Sequence, residues 1–360
     1  MFEVYFRAPT SLHRLVSDSQ TRTASAQTAS AAGAGQRPVA KLPARTDLAS
    51  LLALKLDIDF VLPGLVRGTV GALVSPGGVG KSYWTLEVAL AIACTVKVGS
   101  TFERLDRKIN LTNLRPEQGR VVLFAAEDAQ QIVASRVQAV LGDAQIDGRN
   151  FDYRDCVGLN VDIMVEDWFA QLLEASRGAR LVILDTLSRF HQLDENSTLD
   201  AKKLMAQLER LAAESGAAVL YVHHTSKVAA MSGAGAMQQA ARGSSVLVDN
   251  ARWAAFLAPM TEQEARQFDI EGSAAEYVRW NISKQNYVAP RDDVWYRRRH
   301  DGVLQAVHMR KRVRLAAPAE PTVPAPADTP AAVLNPVTPE PSAAPLVLLP
   351  SANNVNGGNW

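Results

Sequence analysis

Two cysteines in 360 residues, Cys94 and Cys156, are too few for a disulfide framework, and no CxxC pair suggests a thiolate metal site. An excess of charge of either sign is also missing: 38 Lys and Arg against 37 Asp and Glu leave a formal +1. That balance excludes a protein that coats nucleic acid by bulk positive charge; any such binding must come from charge gathered locally. No run reaches the roughly 18 uninterrupted apolar residues of a membrane span. Glu3, Arg7 and His13 interrupt the hydrophobic residues at the N-terminus, so the positive-then-apolar order of a signal peptide is absent too. These absences lead to the expectation of a cytoplasmic protein with no membrane partner.

Large apolar side chains are scarce at both ends. Residues 19–45 are mostly Ala, Thr, Ser, Gln and Gly, and residues 316–360 alternate Pro with Ala, Thr, Val and Glu. Neither composition offsets the entropy of ordering a chain. The expected organisation is a disordered or partner-binding N-terminal extension over 1–46, with Met1 to Val16 a candidate partner-binding helix. A folded domain over 47–315 follows, and then a disordered Pro/Ala-rich tail over 316–360. The whole chain is 47% hydrophobic, enough for a full core in the middle segment.

In that segment, apolar runs at 69–74, 120–126, 180–185 and 217–224 read as strands, and the stretches near 81–95, 128–141, 166–177 and 198–215 read as helices. Nearly continuous apolar strands alternating with helices predict a mainly parallel sheet covered on both faces. Shorter runs at 252–258, 276–283, 293–298 and 303–307 predict additional antiparallel strands at the C-terminal side.

The densest chemical signal is Ser75-Pro76-Gly77-Gly78-Val79-Gly80-Lys81-Ser82, between a strand and a helix. Glycines let successive backbone N–H groups turn towards one anion, and the following helix adds its positive end. Lys81 would then reach the β and γ phosphates of ATP, and the Ser82 hydroxyl would ligate Mg²⁺. The usual pattern opens with Gly where this chain has Ser75, a modest departure. Asp185, where the 180–185 run stops, is the expected second metal-orienting acid; the alternative is that it only starts a turn. At the end of the 120–126 run, Glu127 is the candidate general base, with Asp128 opening the next helix, where an acid suits the dipole.

With these elements in this order, the chain resembles the RecA-like hexameric replicative DNA helicases, in particular the RepA helicases of broad-host-range plasmids. The resemblance covers about residues 58–310. It rests on Phe60-Val61-Leu62-Pro63, the P-loop with its strand, Ala126-Glu127-Asp128, LDTLSRFH (184–191), HHTSK (223–227), ARGSSVLVDNARW (241–253) and ISKQNY (282–287). It implies a RecA-like P-loop NTPase core. It also implies a homo-hexamer acting on single-stranded DNA and forks with 5′-to-3′ travel, and an origin-binding initiator or a primase as further partners. His224 matches the residue that senses the γ-phosphate. Arg252 matches an arginine finger reaching the neighbouring subunit, and Arg136 an arginine near the phosphates. Lys284 resembles the lysine of the DnaB-type K-x-R signature, although Asn286 stands where that signature has Arg. Without the resemblance, His224 would be an ordinary strand-end side chain and Arg252 a surface ion-pair partner.

Between His224 and Arg252 lies a small-residue segment almost free of acids. Lys227 and Arg242 would contact phosphates there, while Gln238 and Gln239 add sequence-tolerant hydrogen bonds; a plain surface loop is the alternative. A second loop, Ser188 to Thr198, carries Arg189 and His191. Two other functions fit the same motifs: a filament-forming RecA-like ATPase of recombination, and an ATP-gated DNA-binding module that does not unwind.

Overall fold

The computed structural model describes residues 44–55, 57–105, 114, 116–224, 245–289 and 292–312. The expectations for both tails, and for the loop holding Lys227, Gln238, Gln239 and Arg242, lie outside the described residues. The chain divides into two units between Ile58 and Asp59. In the first, a one-turn helix α1 (Leu48–Leu52) starts at Asp47, whose carboxylate accepts the N–H of Ser50, and buries none of its residues.

The second unit opens with a hairpin, β1 (Phe60–Leu62) and β2 (Leu65–Val66), and continues into β3 (Val70–Ser75), α2 (Lys81–Ala93), β4 (Thr95–Val98) and β5 (Thr101–Arg104). Next come β6 (Val121–Ala125), α3 (Gln130–Leu141), β7 (Ile146–Asp147), β8 (Phe151–Asp155), α4 (Glu166–Ser176), β9 (Leu181–Asp185), α5 (Thr198–Ser215) and β10 (Ala218–His224). The C-terminal part holds the short helix Ser245–Asn250, β11 (Trp253–Pro259), the short helix Glu262–Gln267, β12 (Phe268–Asp269), β13 (Tyr277–Gln285), β14 (Val294–Arg298), β15 (Leu304–Val307) and β16 (Arg310–Lys311).

Among the described residues one nine-stranded sheet dominates, in the order β15-β14-β13-β11-β3-β10-β9-β6-β8. From β11 to β8 every neighbour is parallel, while β13, β14 and β15 extend the sheet antiparallel. Strand β10 separates the P-loop strand β3 from β9. Two details depart from the expectations of the sequence. The run at 252–258 pairs parallel with β3, and the three strands after it are the antiparallel ones. The edge strand β8, Phe-Asp-Tyr-Arg-Asp, carries no apolar run, because among the described residues only one side of it is paired.

Alternation along β3 divides the core. Leu73 packs with α2 and α3 on one face, whereas Val70, Ala72 and Val74 pack with α4, α5 and Ser245–Asn250 on the other. Helix α2 is buried almost all round, as expected of a helix apolar on every side. Its Trp84 stacks on Trp280 of β13 at 5.7 Å and donates to the Tyr296 hydroxyl of β14 at 3.1 Å. Helix α5 is set at both ends: Ser197 accepts the Asp200 N–H, and Gly216 closes the helix at φ +70°. No helix among the described residues is long and apolar enough to cross a membrane.

Candidate nucleotide site

The strongest sequence candidates meet at the carboxyl ends of the parallel strands, where open α/β sheets bind ligands. Ser75 ends β3 beside His224 of β10, and Asp185 ends β9 beside Ala125 of β6. The P-loop then turns through Gly78 (φ +79°) and Gly80 (φ +112°) into α2. A side chain at Gly80 would be strained by that backbone and would also meet Leu304 at 3.3 Å. Lys81 is buried, and its ammonium donates to the carbonyls of Ser75 (3.3 Å) and Pro76 (2.9 Å). Burial lowers its pKa, against the pull of Glu127 and Asp185.

Asp185 faces the same space. Burial, reinforced by the nearby carboxylates of Glu127 and Asp128, pushes its carboxyl up to about 7, against Lys81 and Arg136. Its Oδ1 is buried with no hydrogen-bond partner among the described residues. A crowded, unsatisfied carboxylate next to a phosphate loop fits a cation, and Ser82 lines the same cleft with Thr85, Glu127, Asp128 and Arg136. Among the described residues no group of three or more His, Cys, Asp and Glu could hold a metal by itself. The donor set therefore suits Mg²⁺, which keeps several waters and is shared with phosphate oxygens.

Glu127 and His224, 97 residues apart in sequence, touch: the imidazole Nε2 lies 3.3 Å from Oε2 of Glu127. Asp128 does not open α3, contrary to the expectation from the sequence. The helix starts at Gln130 without an acid in its first turn, and Asp128 pairs with Arg136. Arg136, which lines the cleft, also lies over the Tyr83 ring at 5.6 Å. Glu195 of the second loop lies 3.2 Å from His191 and 3.7 Å from His223, tying that loop to the end of β10. The meeting of Glu195 and His223 carried no signal in the sequence, because it depends on the fold. The same holds for Arg298 of β14, whose guanidinium donates to the carbonyls of Gly78 (3.2 Å) and Val79 (2.6 Å).

Arg252 and Lys284 lie at the other end of the sheet. The Arg252 N–H donates to the carbonyl of Val70, at the start of β3. Lys284 pairs with Ala254, and its ammonium donates to the carbonyl of Asp249. Its pKa is lowered by burial and, in the same sense, by the nearby Arg252. The six residues of β3, five steps from Val70 to Ser75, separate this pair from the P-loop by roughly 17 Å at the usual strand rise. A large groove elsewhere, lined by Arg279, Asp292, Trp295 and Met309 among others, contains none of the P-loop residues.

A family model described as an AAA domain matches residues 36–230, more than half of the chain. A solved structure described as an ATPase domain is similar at 13% identity. It covers 72% of this chain and 95% of its own, with a TM-score of 0.46. A second, described as a DnaB-like replicative helicase and its interactions with primase, has 12% identity. It covers 72% of this chain and 66% of its own, with a TM-score of 0.49.

Proposed function

The chain belongs to the AAA domain family, and on that premise we propose that it is an ATP-hydrolysing, ring-forming replicative DNA helicase of the RepA type. It would act on single-stranded DNA and forks in cytoplasmic plasmid replication. The observation that carries this reading is the division of charged groups between the two ends of one sheet. P-loop, acids and His224 stand at one end. Arg252 and Lys284 stand at the other, too far to serve their own phosphates but free to serve those of a neighbouring copy.

In this reading Lys81 leaves its carbonyl partners for the β and γ phosphates, and the N–H groups of the loop cradle them. Ser82 and Asp185 would hold Mg²⁺, which neutralises charge on the phosphate oxygens when bound. Glu127 takes a proton from the attacking water while His224 holds its carboxylate in place. Arg252 of a neighbour stabilises the charge that develops on the transferred phosphoryl group. His224 senses the γ-phosphate, and β10 relays its presence or loss to the segment containing Lys227, Gln238, Gln239 and Arg242. An initiator or a primase would be the further partners.

The test is phosphate release from ATP with and without single-stranded DNA, for the wild type and for Lys81→Ala. Hydrolysis accelerated by DNA and abolished by the substitution is expected. Near-normal hydrolysis by Lys81→Ala would remove the P-loop from the reaction and overturn the reading.

A further inference from the structure

A P-loop binds phosphate only if its peptide planes point their N–H groups inward. In a trans peptide the C=O and N–H of one plane point in opposite directions. Whatever holds the carbonyls outward therefore aims the donors. Here the carbonyls of Ser75 and Pro76 are held by Lys81, a contact that must break when the lysine turns to phosphate. The carbonyls of Gly78 and Val79 are held by Arg298. Those two planes carry the N–H groups of Val79 and Gly80, at the centre of the loop.

Arg298 is itself held. It ends β14, paired with Leu304 of β15. The N–H of Leu304 donates to the buried carboxyl of Glu87 on α2 at 2.9 Å, and the Tyr83 hydroxyl donates to the carbonyl of Asp301 between the two strands. Leu304 also fills the space beside Gly80. The hairpin β14–β15 thus grips the loop and the first turns of α2 at several points. Without such a grip, a loop containing Gly77, Gly78 and Gly80 would lose much conformational freedom on binding.

We propose that Arg298 is a positioning residue of the nucleotide site, and that through it the C-terminal hairpin β14–β15 keeps the P-loop in its phosphate-accepting shape. This rests on the reading of the P-loop as a nucleotide site. Arg298 acts from outside the loop, on the peptide planes, and does not touch the phosphates.

The Val79 and Gly80 donors serve the phosphates that ADP and ATP share, so both nucleotides should lose affinity together. In titrations of the full-length protein with fluorescent ADP and a non-hydrolysable ATP analogue, Arg298→Ala should weaken both, on the order of tenfold or more. Arg298→Lys, with one point donor in place of the fork, should recover part of the loss. Arg266→Ala, an exposed change at a residue paired with Glu262, should leave both affinities unaltered. If Arg298→Ala does not fold, Arg298→Lys alone decides, with amide exchange at residues 79–81 faster than in the wild type as the expected result. Unchanged ADP affinity, or unchanged exchange, overturns the proposal. A loss confined to the ATP analogue also overturns it, because it would make Arg298 a γ-phosphate contact. A wild type that binds neither nucleotide would instead sink the nucleotide site itself, and this inference with it.

Discussion

His224 ends β10 and Glu127 lies two residues past the end of β6, and β9 stands between those strands, yet the two side chains meet at 3.3 Å. A carboxylate so placed at the cleft is the proposed base, and replacing it with an amide of the same shape isolates that role. Glu127→Gln should retain nucleotide while hydrolysis falls at least ~10²-fold, as measured by single-turnover phosphate release. Normal turnover would move the base to another acid, Asp128 first. Glu87 is a second residue with a measurable signature. Buried in α2, it has its pKa pushed from 4.5 to about 8, chiefly by burial, with the Leu304 N–H opposing the shift. The folded protein keeps this proton while the unfolded chain releases it above about pH 4.5. Stability should therefore fall as pH rises through that window, up to about 8, and level off beyond it. The loss is on the order of a few kcal/mol. Urea unfolding at about pH 5 and about pH 8 should show a smaller pH-dependent loss for Glu87→Gln than for the wild type. Equal losses would remove Glu87 as their source.

Elements carry a different lesson. Helix α2 joins the P-loop to the antiparallel strands through Trp84, Trp280 and Trp253, the last two 6.4 Å apart. Trp280→Ala should cost about 3–5 kcal/mol in denaturant unfolding, since it leaves a hole between helix and sheet; a cost below about 1 kcal/mol would mean the stack is not a packing centre. The strands β3, β6, β9 and β10 were legible in the sequence because strands buried on both faces must be apolar throughout. Strand β8 was hidden by its charged edge sequence. The direction of β11 was hidden too, because a crossover sets it and composition does not. The P-loop and Asp185 stood out because they follow or end apolar strands, and Glu127 because it lies two residues past one. Arg298 was not: it meets Gly78 across 220 positions, and nothing in Arg297-Arg298-Arg299 distinguishes the middle residue.

For the whole molecule, the proposal concerns how copies share a site. Arg252→Ala should bind nucleotide yet hydrolyse it slowly, by a factor on the order of 10³–10⁵ for an arginine finger. Mixed with Lys81→Ala subunits, it should regain part of the ATPase, because some interfaces then join an intact P-loop to an intact finger. No recovery in assemblies shown by mass to be mixed would place Arg252 outside the reaction between subunits. The tails enter here as well: removing residues 1–46 or 316–360 should leave DNA-stimulated hydrolysis intact, and a deletion that unfolds the protein would redraw the 47–315 domain. In the proposed function, hydrolysis at this site moves the protein along DNA. Strand displacement on a forked duplex, with ATP and Mg²⁺, measures that directly. The wild type should separate the strands and Lys81→Ala should not. Strong DNA-stimulated hydrolysis with no strand separation under any fork geometry would contradict it, leaving an ATPase that binds DNA without unwinding it.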